Sequence, residues 1–389
     1  MPIGYLTSVV VVALYTAIIL RAPRRPAGVA RATFVTTHWV NEYPFIALAA
    51  LAAVTVPVLA QGDLTSAAGW VLFGVAVVTA LGLLRVVQRA WSAGAVVQSA
   101  LVDSLPDAWP AGRAKPPPMG VLRVLRDVIA PFPVRPRAVQ RIANVAYGDA
   151  GRRNLMDLYR RRDAPVQPMP VLIHFHGGHF QIGRKSREAL PLIYRLASEG
   201  WLCISANYRL RAAGRFPNSL VDAKAVIAWA RTQGVEYGAD PSLIVVAGGS
   251  AGGHLASMAA LTPNESAFQP SAAGVDTSVA AAVCLYGYYG RRASGEAASS
   301  PEDYLSPQAP PFLVAAGDND NQIDVSHADH FVRALRTRSA APVVYFRLPG
   351  AQHAFDLLRS LRFDEVVDGV VVFLEWVRRH GAQASPPRV

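Results

Sequence analysis

Residues 245–256 read VVAGGSAGGHLA. An apolar run stops, Gly248, Gly249, Gly252 and Gly253 crowd around Ser250, and a small-residue helix pattern begins. Glycine weakens strands and helices alike, so four of them around one hydroxyl serve a tight geometry rather than stability. Residues 248–252 fit G-x-S-x-G, set after a strand pattern and before a helix pattern. In that context a sharp turn lifts the serine hydroxyl above the sheet edge, and only tiny neighbours let strand and helix pack so closely. The helix N-terminus brings partial positive charge to where an oxyanion would form.

Outward from this turn, strand and helix patterns alternate. VLIHF (171–175), LCISANY (202–208), LIVVAG (243–248), VAAAVCLYG (279–287), PFLVAAG (311–317) and PVVYFRL (342–348) read as apolar strands. Helical patterns such as SLVDAKAVIAWARTQ and FDEVVDGVVVFLEWVRRHG lie between or after them. This alternation predicts an α/β fold, a mostly parallel sheet with helices on both faces. RIANVAYG and RNLMDLYRR, earlier in the chain, read as an antiparallel pair at the sheet edge.

A serine hydroxyl is a weak nucleophile and needs a base, itself oriented by an acid. After this kind of turn the acid and then the base follow in chain order. AAGDNDNQID offers Asp318, Asp320 and Asp324 after one strand, and LPGAQHAF offers His353 after the last. His353 is the expected base; Asp320 leads as the acid, with Asp318 its rival. HFHGGHF (174–180) follows the first apolar strand, and its paired glycines can turn backbone N–H groups toward a developing negative charge. His174, His176 and His179 have no acidic neighbour to complete a ligand set, so neither a metal nor another cofactor is expected. Cys203 and Cys284 sit in strand patterns and read as buried thiols.

The first ninety residues differ from the rest. Segments 3–20, 44–60 and 67–84 carry no charge and are near the minimum length for a membrane-spanning helix. They predict an all-α N-terminal transmembrane region over 1–90. Arg21, Arg24, Arg25 and Arg31 fall between the first two segments, Arg85 and Arg89 after the third, and none between the second and third. The positive-inside rule then puts everything after Leu84 on the cytoplasmic side of a multi-pass protein. Residues 91–137 read as a proline-rich linker with an amphipathic helix near 119–132, and 138–389 as the catalytic domain. On this division, deleting 1–90 leaves a soluble, active enzyme. Net charge is +11, largely arginine, without a nucleic-acid-binding module. The partners expected are therefore the bilayer and a small substrate.

The residues from about 138 to 380 resemble the hormone-sensitive-lipase-like branch of the α/β-hydrolases. HGGH resembles that family's H-G-G-G motif, ANYRL its N-Y-R-L strand end, and GGSAGGHLA its G-D-S-A-G-G-N-L-A turn; GDND and AQHAF match the places of its acid and base. The resemblance implies the α/β-hydrolase fold, with Ser250 as nucleophile, His353 as base and Asp320 as acid. It implies an oxyanion hole from the N–H groups of Gly177, Gly178 and Ala251. Two positions depart from the pattern: His179 replaces the last glycine of the motif, and Gly249 a common acid before the serine. The activity implied is that of a serine carboxylic ester hydrolase, esterase or lipase, acting on apolar, lipid-derived esters through an acyl-enzyme. An arylformamidase shares these motifs and is the second enzymatic reading; a membrane-tethered binding protein is the non-catalytic one.

Overall fold

The computed structural model describes residues 3–105, 107, 126, 129–163, 167–292 and 298–381. Five helices come first: α1 (Ile3–Arg21), α2 (Ala27–Glu42), α3 (Pro44–Ala60), α4 (Ala67–Trp91) and α5 (Ala93–Ser104). α1 and the rod formed by α4 and α5 are each long and apolar enough to cross a membrane, and α2 and α3 form a pair bent by 81°. Large apolar side chains face outward here, among them Leu14, Trp70, Val71, Val78 and Leu81. The hydroxyls of Thr16, Thr55 and Thr79 donate to the carbonyls four residues back, so they bring no unpaired donor to an apolar face.

The α/β part follows. Its strands are β1 (Val139–Ala146), β2 (Leu155–Arg161), β3 (Met169–Phe175), β4 (Leu202–Ala206), β5 (Ala239–Gly249), β6 (Ala281–Leu285), β7 (Phe312–Gly317) and β8 (Val343–Leu348). Their helices are α6 (Leu190–Ser198), α7 (Asn218–Thr232), α8 (Ala251–Leu261), α9 (Val325–Arg338) and α10 (Leu361–Gly381). The eight strands form one sheet, in the order β1-β2-β4-β3-β5-β6-β7-β8. β1 and β2 are the antiparallel pair, β2 meets β4 antiparallel, and β4 through β8 run parallel. β4, β6 and β7 are buried along their whole length, as strands covered on both faces must be.

Alternate strand residues feed two cores. Ile173, Ile204, Val246, Cys284 and Val314 pack beneath α7, α8 and α9; Leu172, Cys203, Val245, Val283 and Leu313 pack beneath α5, α6 and α10. Two features differ from the sequence expectation. Residues 93–104, read as the start of a linker, form α5, which buries Ala93, Val97 and Leu101 in the second core. Residues 27–42, read as an inter-span loop, form α2. The helix expected near 119–132 falls mostly outside the described residues.

Candidate active site

β5 ends at Gly249 and α8 begins at Ala251, so Ser250 alone makes the turn, with φ +54° and ψ −117°. A side chain with a Cβ rarely takes this conformation, and the surroundings must hold it there. Its N–H donates to the Leu285 carbonyl at 3.0 Å, and its own carbonyl accepts the His254 N–H at 3.1 Å. The need for glycine is steric: a Cβ on Gly252 would stand 1.9 Å from the Phe175 carbonyl oxygen at the end of β3.

Two loops at the same sheet edge bring the other groups. His353 follows β8, and its Nε2 lies 3.0 Å from Ser250 Oγ. His353 Nδ1 lies 2.7 Å from Asp320 Oδ2, in the loop after β7. A carboxylate only accepts, so Nδ1 donates to Asp320 and Nε2 is left to accept from the serine hydroxyl. Asp320 is held in turn, its Oδ1 accepting the N–H groups of Gln322 and Ile323 at 2.8 and 2.9 Å. All three side chains are buried. The other acids of the loop have separate work: Asp318 accepts the Gly350 N–H at 2.7 Å, and Asp324 caps α9 and pairs with Arg24 at 3.2 Å.

The loop after β3 lies against Ser250. A Cβ on Gly177 would stand 3.1 Å from the serine Cβ. The Gly177 N–H, expected among the oxyanion donors, is instead taken by Glu188 Oε2 at 2.5 Å, because Glu188 folds back beneath the loop. The Gly178, His179 and Ala251 N–H groups are among those in this loop and the serine turn that meet no acceptor among the described residues. His179, overlooked in the sequence as a donor, has φ +54°, a conformation that suits the glycine it replaces. His176 stacks on Tyr208 with ring centroids 4.5 Å apart. Burial pushes the His174 imidazole down to about 3 and that of His176 to about 4, so both are neutral at pH 7.

Three further groups were missed in the sequence. The Tyr286 ring stands edge-on to His353 at 4.7 Å. Phe34 of α2 approaches the same imidazole edge-on at 6.1 Å. The N-terminal helices also brace the acid and base loops: Asn319 donates to the Ile19 carbonyl, Asn321 to that of Ala30, and Gln352 to Thr37 Oγ1. Arg24 reaches the Asp318 and Asp320 carbonyls at 3.1 and 3.3 Å.

The family model BD-FAE matches residues 156–293, the segment from β2 through the serine turn to just past β6. The probable carboxylic ester hydrolase LipM of Mycobacterium tuberculosis is 36% identical over 90% of this chain and 88% of its own. The chain belongs to the hormone-sensitive-lipase-like family of α/β-hydrolases. Esterase LipQ of the same organism is 38% identical over 66% of this chain and 69% of its own. A solved structure, a truncated carbohydrate esterase from gut microbiota, superimposes with a TM-score of 0.54 at 20% identity, covering 64% of this chain and 99% of its own. That likeness establishes the α/β-hydrolase fold. The match to LipM spans more than the sheet-bearing part, so the family relation extends into the N-terminal helices.

Proposed function

We propose that this α/β-hydrolase is a membrane-associated serine ester hydrolase, with Ser250 as nucleophile, His353 as general base and Asp320 as its orienting acid. The observation that carries the reading is the unbroken run of hydrogen bonds from Ser250 Oγ through His353 to Asp320, at 3.0 and 2.7 Å. Ser250 Oγ attacks the ester carbonyl while His353 Nε2 takes its proton. The carbonyl oxygen becomes an oxyanion and draws on the N–H groups of Gly178, His179 and Ala251. The C–O bond then breaks, and the alcohol leaves with the proton from Nε2. Water, deprotonated by the same nitrogen, attacks the acyl-enzyme and releases the acid. Asp320 keeps Nδ1 protonated and stabilises the imidazolium formed in each half-reaction.

Residues 1–90 are the membrane region in this reading and 138–389 the catalytic domain. The outward-facing Val71, Val78 and Leu81 make an apolar surface that a bilayer covers. Arg24 lies against the catalytic loops, so the arginine-bearing side is the catalytic side, which the positive-inside rule makes cytoplasmic. α2 sits over the site with Val35 and Trp39 exposed on its far face, which favours an apolar, lipid-derived ester.

The test is hydrolysis of p-nitrophenyl esters of increasing acyl length by the full chain in detergent micelles, with Ser250→Ala beside it. Wild-type turnover that is lost in the folded variant supports the reading. Equal rates in both refute it, and turnover confined to N-formyl aryl amides reassigns the substrate.

A further inference from the structure

Glu188 lies in the polar stretch GRKSREA (183–189), which in sequence resembles solvated loop. Its carboxylate does not face outward. Oε2 accepts the Gly177 N–H at 2.5 Å, one residue before the open donor Gly178. The next residue is tied as well: the Ala189 N–H donates to Asp356 Oδ2 at 3.0 Å. Asp356 is fully buried and accepts the Tyr286 hydroxyl on Oδ1 at 2.5 Å. Tyr286 in turn presents its ring to His353. Gly249 makes room for this arrangement, since a Cβ there would stand 2.3 Å from the Tyr286 hydroxyl oxygen. Two acids from distant segments thus sit behind the site, one touching the loop of oxyanion donors and the other a tyrosine against the base.

We propose that Glu188, backed by Asp356, is a positioning residue for the oxyanion hole, acting through the Gly177 peptide to aim the next N–H groups at the substrate carbonyl. The inference rests on the ester-hydrolase reading above. The Gly177 N–H hydrogen bond holds the 176–177 peptide plane, and the Gly177 carbonyl, 2.6 Å from His176 Nδ1, holds the next plane, which carries the Gly178 N–H. Charge matters too. Withdrawal from water, followed by the nearby Asp356 charge, pushes the Glu188 carboxyl up to about 8, against the Gly177 hydrogen bond and, more weakly, the charge of Arg187. Burial also raises Asp356, against hydrogen bonds from Tyr286 and Ala189 and the charge of His353. The raised carboxyl lessens the negative charge that Glu188 sets behind a developing oxyanion at neutral pH. Above about pH 8 it loses its proton, and the new charge opposes the transition state.

The test compares wild type, Glu188→Gln and Glu188→Ala in detergent, with kcat and KM for one p-nitrophenyl ester measured from pH 6 to 10. Thermal unfolding of each variant verifies that it is folded. Gln keeps a neutral acceptor for the Gly177 N–H; Ala does not. The expected result at pH 7 is a kcat loss of about 30- to 100-fold in Glu188→Ala with KM within about threefold, and Glu188→Gln within about fivefold of wild type. Wild-type kcat falls as pH passes about 8, and that fall is absent from Glu188→Gln. A folded Glu188→Ala with wild-type kcat, a Gln variant as poor as Ala, or an alkaline fall that persists in Gln overturns the proposal and leaves the ester-hydrolase reading standing. A wild type that neither cleaves esters nor is labelled at Ser250 by a fluorophosphonate overturns both.

Discussion

Glu42, at the end of α2, ties the N-terminal helices to the catalytic domain, and its removal is predicted to destabilise the whole protein. Its carboxylate accepts from Arg362 Nη1 at 2.6 Å, Ser360 Oγ at 2.7 Å and Asn41 Nδ2 at 3.0 Å. Both members of the Glu42–Arg362 pair have side chains 0% exposed. Among the described residues, Nε and Nη2 of Arg362 have no acceptor, so Glu42 is the guanidinium's one anionic partner. In Glu42→Ala a cation stays buried without its counter-charge, which costs about 3–5 kcal/mol, against about 0.2–1 kcal/mol for an exposed pair. The larger figure corresponds to a fall in Tm of about 6 °C for a chain of 389 residues. The assay is thermal unfolding in detergent at one fixed scan rate, followed by tryptophan fluorescence. Asp163→Ala, which breaks the exposed pair with Arg161, serves as control and shifts Tm little. The double variant Glu42→Met with Arg362→Met regains most of the loss, because no charge is left buried. A Glu42→Ala protein that melts within about 2 °C of wild type refutes the reasoning.

The remaining predictions follow from the same contacts. Asp320→Asn disturbs the imidazole tautomer and lowers kcat about 10³- to 10⁴-fold, whereas Asp318→Asn, which only weakens a turn, costs less than about tenfold; parallel kcat measurements on the two variants check this. Deleting residues 1–90 removes α2 with Glu42 and strips the braces from the acid and base loops, so the truncated chain is expected to be insoluble or inactive; size-exclusion profile and ester turnover test this. These contacts argue for the opposite of the outcome expected from the sequence, a separable catalytic domain. Glu188 has a folded pKa above its ordinary value, so its stabilising contribution is full below the ordinary carboxyl pKa and is lost as pH rises through about 8. Glu188→Gln, which cannot ionise, should therefore gain Tm relative to wild type between pH 5 and 9.

The serine turn, the sheet and the loops that bring Asp320 and His353 to Ser250 were legible in the sequence because their signals are local. A strand, a turn and a helix are adjacent in the chain, and each of Ser250, Asp320 and His353 follows the strand that aims it. Glu188 carried no such signal. It sits among Arg184, Lys185 and Arg187 in a segment that looks solvated, and its setting is made by Gly177 and Asp356 from two other loops. The engagement of the Gly177 N–H by Glu188 has the same source: a motif shows which N–H groups are near the serine, and only the fold shows which are already engaged.

α2 is a different case, because its signal was present and ran opposite to the usual one. Thr33, Thr37 and Asn41 recur every four residues, and with His38 and Glu42 they mark a polar face. Thr37, His38, Asn41 and Glu42 are buried, while Val29, Val35 and Trp39 are exposed. The exposed face is mixed, since Arg31 and Thr36 stand on it beside Val29, Val35 and Trp39, so the packing of α2 rests on its polar face. Its polar partners lie beneath it, in the 318–322 and 350–353 loops. The same inversion explains why α2 ends on a buried ion pair rather than on hydrophobic packing: the surface it covers is the polar rim of the site.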